Sequence, residues 1–440
     1  MSKYDKASLV QIPSGYKANK LYSVLPENGD GDFTFARTST ATRVNKDGLI
    51  ETVVTGKPRL DYPLIDGVVQ DCPALLLEPS RTNLINESED INGYSKTAVT
   101  VTNDSATSPD GSVNAAEFTP TAASGNHFAD TSNSPTLTIN TFYSVTVFVK
   151  ANGYNFFHIS VSASRLYAVY DLENGSVKTS SSNGTDFSDD SAEIENYGNG
   201  WFRCTLIGKE LVGSVRYVRI AANATYVNTH TPSFTADGTS GVYVWGVQME
   251  AGSYATSYIP TSGSSVTRSA DTCNSAGTSA EFNDSEGVLY AEIQALDNDG
   301  TARVISLSDG TASNRIHLFY QADSNKIYAN YRSGGTTRST SDYTVDSALD
   351  FNKAAYKYKS GDFALWINGF EVDTDSNTTM IADDTLDELS YELGNGGQGF
   401  YGKLKENAVF KEALTDSELE ALTSWDSFNE MATGQEYTIR

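Results

Sequence analysis

Apolar and polar side chains alternate with a period of two along most of this chain. The clearest run is GVYVWGVQME, residues 241–250, in which branched side chains interleave with Tyr243 and Trp245. This is the period of a β-strand, whose successive side chains point to opposite faces. The alternation stops after Ala251, where glycine, proline and serine follow, and it begins again near Glu281. The pattern therefore predicts two β domains joined by a linker.

The first domain is predicted from short strand-like runs between Leu75 and Glu250. Tight-turn signals such as Asn174-Gly175 separate neighbouring runs. The runs are rich in branched and aromatic residues, and their spacing is that of a β-sandwich. They cover residues 99–101, 142–149, 156–161, 167–172, 201–207, 215–220 and 241–250.

The second domain is predicted from five further strand-bearing motifs between residues 279 and 425. These are GVLYAEI, ARVISLSDGTASNRIHLFY, KIYANYRS, FALWINGFEVDT and FYGKLKENAVF. A short helix should close this domain, because Thr415 and Glu418 have the spacing of a capping box. Leu419, Leu422 and Trp425 then recur at helical spacing.

Residues 1–74 contain only short hairpin patterns. Strands this short cannot enclose a core, yet they carry many apolar side chains, which we expect to be buried against partner chains. The alternative is that the segment folds back on the first sandwich, because terminal strands often complete a neighbouring sheet. The candidate contact residues are Leu21, Tyr22, Phe33, Phe35, Leu49 and Ile50.

Composition narrows the range of partners. The chain has 440 residues and a formal charge of −25 at pH 7. This charge repels phosphate backbones and anionic lipid heads, so nucleic acid and membrane partners are disfavoured, whereas neutral sugars remain open. Cys72, Cys204 and Cys273 are too few and too far apart for a disulfide framework or a close-spaced zinc site. We find neither a secretory signal nor an apolar run of membrane-spanning length.

Several motifs resemble those of known proteins. Residues from about 20 to 271 resemble a module of bacteriophage and prophage virion proteins. The fold of that module is similar to the jelly-roll fold of carbohydrate-binding modules. The motifs that carry the resemblance are GDGDFTFARTSTATRVNKDGLIE, LLLEPSRTNLI, SVTVFVKANG, YDLENGSV, YGNGWFRCTL and VQMEAGSYATSYIPTSGSSVTRSAD. Residues 279–425 resemble a concanavalin-like or laminin-G-like sandwich.

The predicted fold is therefore all-β, with an N-terminal β arm, two antiparallel β-sandwiches and one short C-terminal helix. The predicted boundaries are an arm at residues 1–74, a jelly-roll sandwich at 75–260, a linker at 261–278, a concanavalin-like sandwich at 279–425 and a C-terminal tail at 426–440.

The resemblance implies a non-enzymatic virion protein, a fibre or other appendage subunit that contacts host-surface glycans. It also implies a homotrimer, assembled in the host cytoplasm and exposed on the particle, with the arm contacting other virion proteins. The short N-terminal strands favour a homotrimer as well, because they need partner chains to bury their apolar faces. No cofactor is expected. Two alternatives stay open. One is a polysaccharide-degrading appendage whose second domain is a glycoside hydrolase, and the other is a purely structural head or tail decoration protein without a host ligand.

Signatures of catalysis and of metal binding are weak. Glu371, Asp373 and Asp375 alternate like the carboxylates of glucanases on the concanavalin-like fold. They end in aspartate and follow a predicted hairpin turn, so a solvated edge strand is the favoured interpretation. The run NGDGD at residues 28–32 imitates the start of a calcium loop, but Phe33 stands where the loop requires glycine. We predict no catalytic or metal-ligating residue.

Aromatic side chains carry the remaining functional signal. Sugar rings stack their apolar faces on flat side chains while polar neighbours fix the hydroxyls. One cluster of this kind lies in each domain, and core packing is the alternative explanation for both. The candidate glycan-binding residues are Tyr154, Asn155, Phe157, Phe319, Tyr320, Tyr331 and Arg332.

Overall fold

The computed structural model describes residues 4–321 and 325–425, and the predicted tail at 426–440 lies outside them. The described residues form mainly antiparallel β-strands, which confirms the all-β prediction. The strands of the N-terminal segment are β1 (Ala7–Gln11), β2 (Tyr16–Lys17), β3 (Lys20–Leu21), β4 (Phe33–Ala36), β5 (Ala41–Val44), β6 (Ile50–Val53), β7 (Arg59–Asp61), β8 (Leu64–Ile65), β9 (Val68–Val69), β10 (Ala74–Leu77) and β11 (Arg81–Asn83).

The first sandwich follows, with short 3₁₀ turns at Ile91–Gly93 and Ala163–Arg165. Its strands are β12 (Ser95–Thr97), β13 (Val99–Thr107), β14 (Val113–Pro120), β15 (Ser124–Asn126), β16 (Phe128–Asp130), β17 (Thr141–Asn152), β18 (Phe156–Val161), β19 (Leu166–Asp171), β20 (Ser176–Ser182), β21 (Phe187–Asn196), β22 (Trp201–Glu210), β23 (Val218–Asn223), β24 (Ser233–Thr235) and β25 (Gly241–Ala251).

Two facing sheets build this sandwich. Their strand orders are β12-β16-β23-β18-β19-β20 and β13-β14-β25-β17-β22-β21, and the short strands β15 and β24 pair separately. Alternate side chains of both sheets, such as Val145, Val147, Phe157 and Ile159, meet in one apolar core. The first predicted sandwich is thereby confirmed as a two-sheet antiparallel fold.

The last part of the chain contains two linking strands, the second sandwich and one helix. These elements are β26 (Val266–Arg268), β27 (Thr272–Asn274), β28 (Glu286–Ala295), β29 (Arg303–Ser308), β30 (Arg315–Tyr320), β31 (Lys326–Ser333), β32 (Thr336–Thr344), β33 (Asn352–Lys359), β34 (Phe363–Ile367), β35 (Phe370–Asp375), β36 (Glu388–Ser390), β37 (Gly402–Phe410) and α1 (Asp416–Thr423).

A large and a small sheet face each other in the second sandwich. The large sheet has the order β35-β34-β33-β28-β37-β10-β7, and the small sheet has the order β32-β31-β30-β29-β36. Helix α1 covers the outer side of the large sheet through Leu419 and Leu422. The backbone N–H of Thr415 donates to the Glu418 carboxylate at 2.9 Å, which confirms the predicted cap.

The N-terminal segment is part of the second sandwich. Strands β1 and β10 both pair with β37, on the edge opposite β28. The candidate contact residues Leu21, Phe33 and Phe35 are buried in the core of the second sandwich. The segment is therefore not the separate anchoring arm that the sequence predicted, because its strands complete a sheet within the same chain.

The other three candidate contact residues have different surroundings. Ile50 packs beside Trp245 on the outer side of the first sandwich. Leu49 is half-buried and Tyr22 is 38% exposed. The N-terminal segment thus contacts both sandwiches, so its apolar side chains are largely covered without a partner chain.

The stretch predicted as a linker is also built into the fold. Strand β26 pairs with β11, and β27 pairs with β4. Cys273 is buried in the core of the second sandwich, and all three cysteines are free thiols.

No helix among the described residues has the length and apolar character needed to cross a membrane.

A buried network of charges joins these distant stretches. Arg59 donates to both Glu78 and Asp271. Arg37 contacts Asp271 at 3.0 Å, and Arg268 contacts Glu78 at 2.9 Å. Burial alone would raise the pKa of Glu78, but Arg268, Arg59 and hydrogen bonds from Ser257 lower it well below the usual range. The motifs LLLEPSRT and VTRSAD therefore supply three of the five charges in this network, namely Glu78, Arg268 and Asp271.

We predict that residues 275–425 will not fold alone, because this fragment leaves one edge of β37 unpaired. It also lacks Leu9, Phe33, Leu75 and Leu77 of its core. Such losses are about 2–5 kcal/mol per side chain, which together match the whole stability of a typical domain. Calorimetry should show no cooperative transition, whereas residues 84–261, with both sheets of the first sandwich, should show one. A cooperative transition in the shorter fragment would contradict this prediction.

We also predict that Arg59→Ala will destabilise the chain by about 3–5 kcal/mol, because it leaves two buried carboxylates without their shared partner. Urea unfolding of the full chain measures the change. Lys359→Ala is the matched control, since its ion pair with Glu286 is on the surface. Similar effects of the two substitutions would show that the network does not stabilise the fold.

Candidate functional site

The outer side of the small sheet in the second sandwich carries the best candidate site. Alternation along β30 directs Ile316, Leu318 and Tyr320 into the core. The intervening side chains point outwards, and strands β29 and β31 follow the same rule. We call this surface the polar-aromatic face. It comprises Val304, Ser306, Ser308, Arg315, His317, Phe319, Tyr328, Asn330 and Arg332.

Strand register arranges these residues in three rows across the sheet. The arginine row is Ser308, Arg315 and Arg332, the central row is Ser306, His317 and Asn330, and the aromatic row is Val304, Phe319 and Tyr328. Directly opposite residues on neighbouring strands lie within side-chain contact distance. The face therefore changes from cationic to polar to aromatic along the strands.

The aromatic row contains a pair of stacked rings, of which Phe319 is buried and Tyr328 is half-buried. The centroids of Phe319 and Tyr328 are 5.2 Å apart, and their planes differ by 19°. His317, two residues before Phe319 on the same strand, has its ring centroid 4.8 Å from that of Phe319. The Lys326 ammonium is 5.5 Å from the Tyr328 ring and 3.0 Å from the Asp342 carboxylate. These contacts hold the two rings in fixed positions beside the central row.

The central row contains polar atoms with unused hydrogen-bonding capacity. His317 Nε2 and Asn330 Nδ2 are 3.3 Å apart. Within the described residues, His317 Nδ1, Asn330 Oδ1 and Ser306 Oγ are buried and have no hydrogen-bond partner. Buried polar atoms are normally paired, so three on one surface indicate a site that a ligand or water completes.

His317 is held in its neutral form. Burial, followed by the nearby charges of Arg315 and Arg332, lowers its pKa to about 3. A neutral imidazole offers one donor and one acceptor, which suits a hydroxyl group. The central row therefore provides neutral hydrogen-bonding groups rather than charge at neutral pH.

A glycine-rich loop borders the face beside β29. The backbone of Gly399 bridges to Val304, and Gly394 approaches Ser308 so closely that a Cβ atom would lie 2.6 Å from its Oγ. Gly394 also has a φ of +84°, which disfavours other residues. Asn395 and Gln398 are exposed along this border. The loop thus adds amide groups to one side of the face.

The structure separates the predicted residues of the second sandwich. Phe319 and Arg332 lie on the polar-aromatic face. Tyr320 and Tyr331 point into the core, where the Tyr331 hydroxyl donates to the Asp284 carbonyl at 2.8 Å. Their assignment as glycan contacts is therefore corrected to a packing role. The prediction missed Arg315, His317, Tyr328 and Asn330, although their alternation with core residues could have identified them.

The predicted residues of the first sandwich are corrected in the same way. Tyr154 and Phe157 are buried, and Tyr154 packs edge-on against Phe234 at 5.9 Å. Asn155 is half-buried and donates to Glu173 at 3.0 Å. Tyr154 and Phe157 belong to the core between the two sheets of the first sandwich, so the three residues do not form one surface.

The acidic triplet lies on β35, an edge strand of the large sheet. Asp373 accepts from the Asp342 backbone N–H at 3.2 Å, and Asp375 accepts from that of Asn377 at 2.9 Å. Glu371 is exposed. Two members of the triplet therefore have local structural contacts.

A cavity of about 500 Å³ between the sandwiches is a second concave region, bordered by residues 253–258 and 294–297. Glu193, Glu195 and Asp297 line it. Burial, with the charges of the other two, raises the pKa of Glu193. Within the described residues, no group of three or more His, Cys, Asp or Glu side chains could hold a metal ion. The polar-aromatic face is the stronger candidate for a glycan site because it combines stacked rings with buried polar atoms that have no partner among the described residues.

Comparisons with known proteins agree with the fold of the second sandwich. Residues 268–420 match the profile of a family described as the concanavalin A-like lectin/glucanases superfamily. No curated protein matches the chain significantly.

Three solved structures illustrate the similarity. The carbohydrate-binding module of the Ruminococcus gnavus sialidase, bound to α2,3-sialyllactose, is 16% identical over 34% of this chain and 94% of that chain, with a TM-score of 0.29. The leech intramolecular trans-sialidase is 18% identical over 33% and 24%, with a TM-score of 0.29. Domain 4 of a Geobacillus stearothermophilus arabinanase is 12% identical over 35% and 73%, with a TM-score of 0.30. These values support no statement about a shared ligand.

We predict that His317 will not titrate between pH 5 and pH 8. Its folded pKa lies below the unfolded value of 6.5, so its contribution to stability is present above pH 6.5 and is lost as pH falls towards 3. The ring ¹⁵N shifts of His317 in an NMR titration measure this directly. A His317→Gln variant should show a smaller loss of stability over the same pH range. A midpoint near 6.5 would contradict the buried position of the ring.

Proposed function

We propose that this protein binds glycans through the polar-aromatic face of the second sandwich. The observation that carries the proposal is the stacked pair of Phe319 and Tyr328 next to a row of buried polar atoms without partners. Aromatic rings receive the apolar face of a sugar, and neighbouring donors and acceptors fix its hydroxyls. The family description of residues 268–420 includes lectins, which supports the same function.

The same description includes glucanases, so hydrolysis is the alternative. A glycosidase needs two carboxyl groups on either side of the scissile bond, separated by roughly 5–10 Å. The three rows of the face contain no carboxylate, and Asp342 and Glu388 lie on opposite edge strands of the small sheet. These features favour binding without cleavage.

The setting that we propose for this activity is a phage appendage. It rests on the sequence resemblance of residues 20–271 to virion modules. Several residues of those motifs, including Glu78, Arg268 and Asp271, form the buried charge network. The resemblance therefore supports a shared architecture, and a virion protein exposed on the particle surface is our proposal on that basis.

Attachment and assembly are part of this proposal. Leu21, Phe33, Phe35 and Ile50 are buried within the chain, so attachment to other virion proteins would use accessible residues such as Tyr22. The homotrimer rests on the resemblance alone, because the apolar segment that motivated it is covered. A decoration protein without a host ligand is the alternative if no glycan binds.

We predict that Tyr328→Ala will weaken glycan binding about two- to tenfold, because one aromatic contact contributes about 0.5–1.5 kcal/mol. Retention of the full chain on a glycan array, followed by calorimetric titration of the retained glycan, provides the measurement. Tyr343→Ala is the matched control, since Tyr343 is 43% exposed on the same sheet but lies opposite the core residue Ile327.

The array also separates the three functions. Retention without release of reducing sugar supports binding, and release of reducing sugar would support the hydrolase. Failure to retain any glycan would contradict the proposed function and leave the decoration protein as the remaining interpretation. Equal losses in the two tyrosine variants would contradict the location of the site.

A further inference from the structure

The arginine row holds two like charges directly opposite one another. Arg315 on β30 is paired in register with Arg332 on β31, and only 7% of Arg315 is exposed. Like charges at directly opposite positions of a sheet destabilise it, and burial increases the effect. Burial, with the charge of Arg332, lowers the pKa of Arg315. The pair therefore requires a compensating group.

The described residues supply no such group. Arg315 Nε, Arg315 Nη1 and Arg332 Nε are buried without hydrogen-bond partners, and Arg332 Nη2 donates only to the Gly335 carbonyl. The flanking residues in register, Ser308 and Thr337, are neutral. Glu388, beyond Ser308, accepts from the Ser275 hydroxyl at 3.0 Å.

Other buried arginines of this chain differ from Arg315 in their contacts. Arg37, Arg59 and Arg268 are as deeply buried, and each contacts a carboxylate. Within the described residues, Arg315 thus lacks the neighbouring carboxylate that these three arginines have. An unpaired guanidinium in a protected position is suited to an anion from outside, and its planar donors match a carboxylate with two parallel hydrogen bonds.

We propose that the arginine row binds the carboxylate of an acidic saccharide. This inference rests on the proposed function and specifies its ligand class. Arg315 and Phe319 are four residues apart on one strand, which places the rows about 13 Å apart, further than one sugar ring extends. The ligand is therefore an oligosaccharide whose acidic unit contacts the arginines while another unit stacks on the aromatic row. The central row then contacts hydroxyls between them.

The net charge of −25 is compatible with this ligand. Exposed charges are screened beyond a Debye length of about 8–10 Å at physiological ionic strength, whereas partly buried pairs are screened much less. The contact of a ligand carboxylate with the two guanidinium groups is therefore screened less than its repulsion by the exposed carboxylates. Binding should weaken as salt increases, because the ligand contact is ionic.

The test compares matched glycans on an array probed with the full chain. Each carboxylated oligosaccharide, such as oligogalacturonate or a sialylated glycan, is printed beside its methyl ester, which keeps the shape and removes the charge. We expect at least tenfold stronger retention of the free acids. Equal retention of acid and ester would overturn the carboxylate assignment while leaving glycan binding intact. Equal retention of glycans that carry sulfate in place of the carboxylate would have the same meaning. Retention of no glycan would overturn the proposed function itself.

Two variants make the assignment specific to Arg315. Arg315→Gln should lower affinity for the acid at least tenfold and leave the weaker binding of its ester unchanged. Arg165→Gln removes the same charge from the surface of the first sandwich and should change neither. Because Arg315 has no partner among the residues that the structure describes, its substitution should also leave the melting temperature unchanged or raise it. A clear fall in melting temperature with unchanged affinity would show that Arg315 is structural and would overturn the inference.

Discussion

Two carboxylates and three arginines in the interior can be buried only together. An isolated ion in a protein interior is strongly destabilising, whereas Glu78 and Asp271 share Arg59 and each has a further arginine. These five residues come from four separate parts of the chain. Three parts precede the first sandwich in sequence, and the fourth follows it. Pairing them brings the N-terminal segment and the stretch after β25 to one place. The joining of the two sandwiches depends on that meeting.

Local sequence patterns predicted the strands and the helix of this fold better than they predicted which strands pair with each other. The alternation of side chains and the capping box of Thr415 identified the strands and the helix, because these depend on neighbours in sequence. The pairing of β1 and β10 with β37 was not predictable in the same way. Short strands such as Ala74–Leu77 have no sequence feature that identifies a pairing strand more than 300 residues away. The apolar N-terminal residues correctly indicated a need for cover, but the cover is within the chain.

The candidate site shows a similar division. Phe319 and Arg332 were predicted from a cluster of aromatic residues and lie on the face. Tyr320 and Tyr331 are one residue further along or back, and a shift of one residue in a strand moves a side chain to the opposite side of the sheet. Clustering in sequence therefore mixed core and surface. The lack of a partner for Arg315 among the described residues could not be predicted, because it depends on which side chains the fold brings to its surroundings.

The pairing of both N-terminal strands with β37 affects how the chain can fold during synthesis. Strand β10 leaves the ribosome well before β37 exists, and at about 5–20 residues per second the delay is roughly 15–65 seconds. Throughout that time the first sandwich can form, but Leu75 and Leu77 have no sheet to join. The nascent chain must keep these residues from aggregating until its last strand emerges. The final tenth of the polypeptide thus controls when the first part becomes stable, so a chain truncated late in translation would expose apolar strands at its beginning.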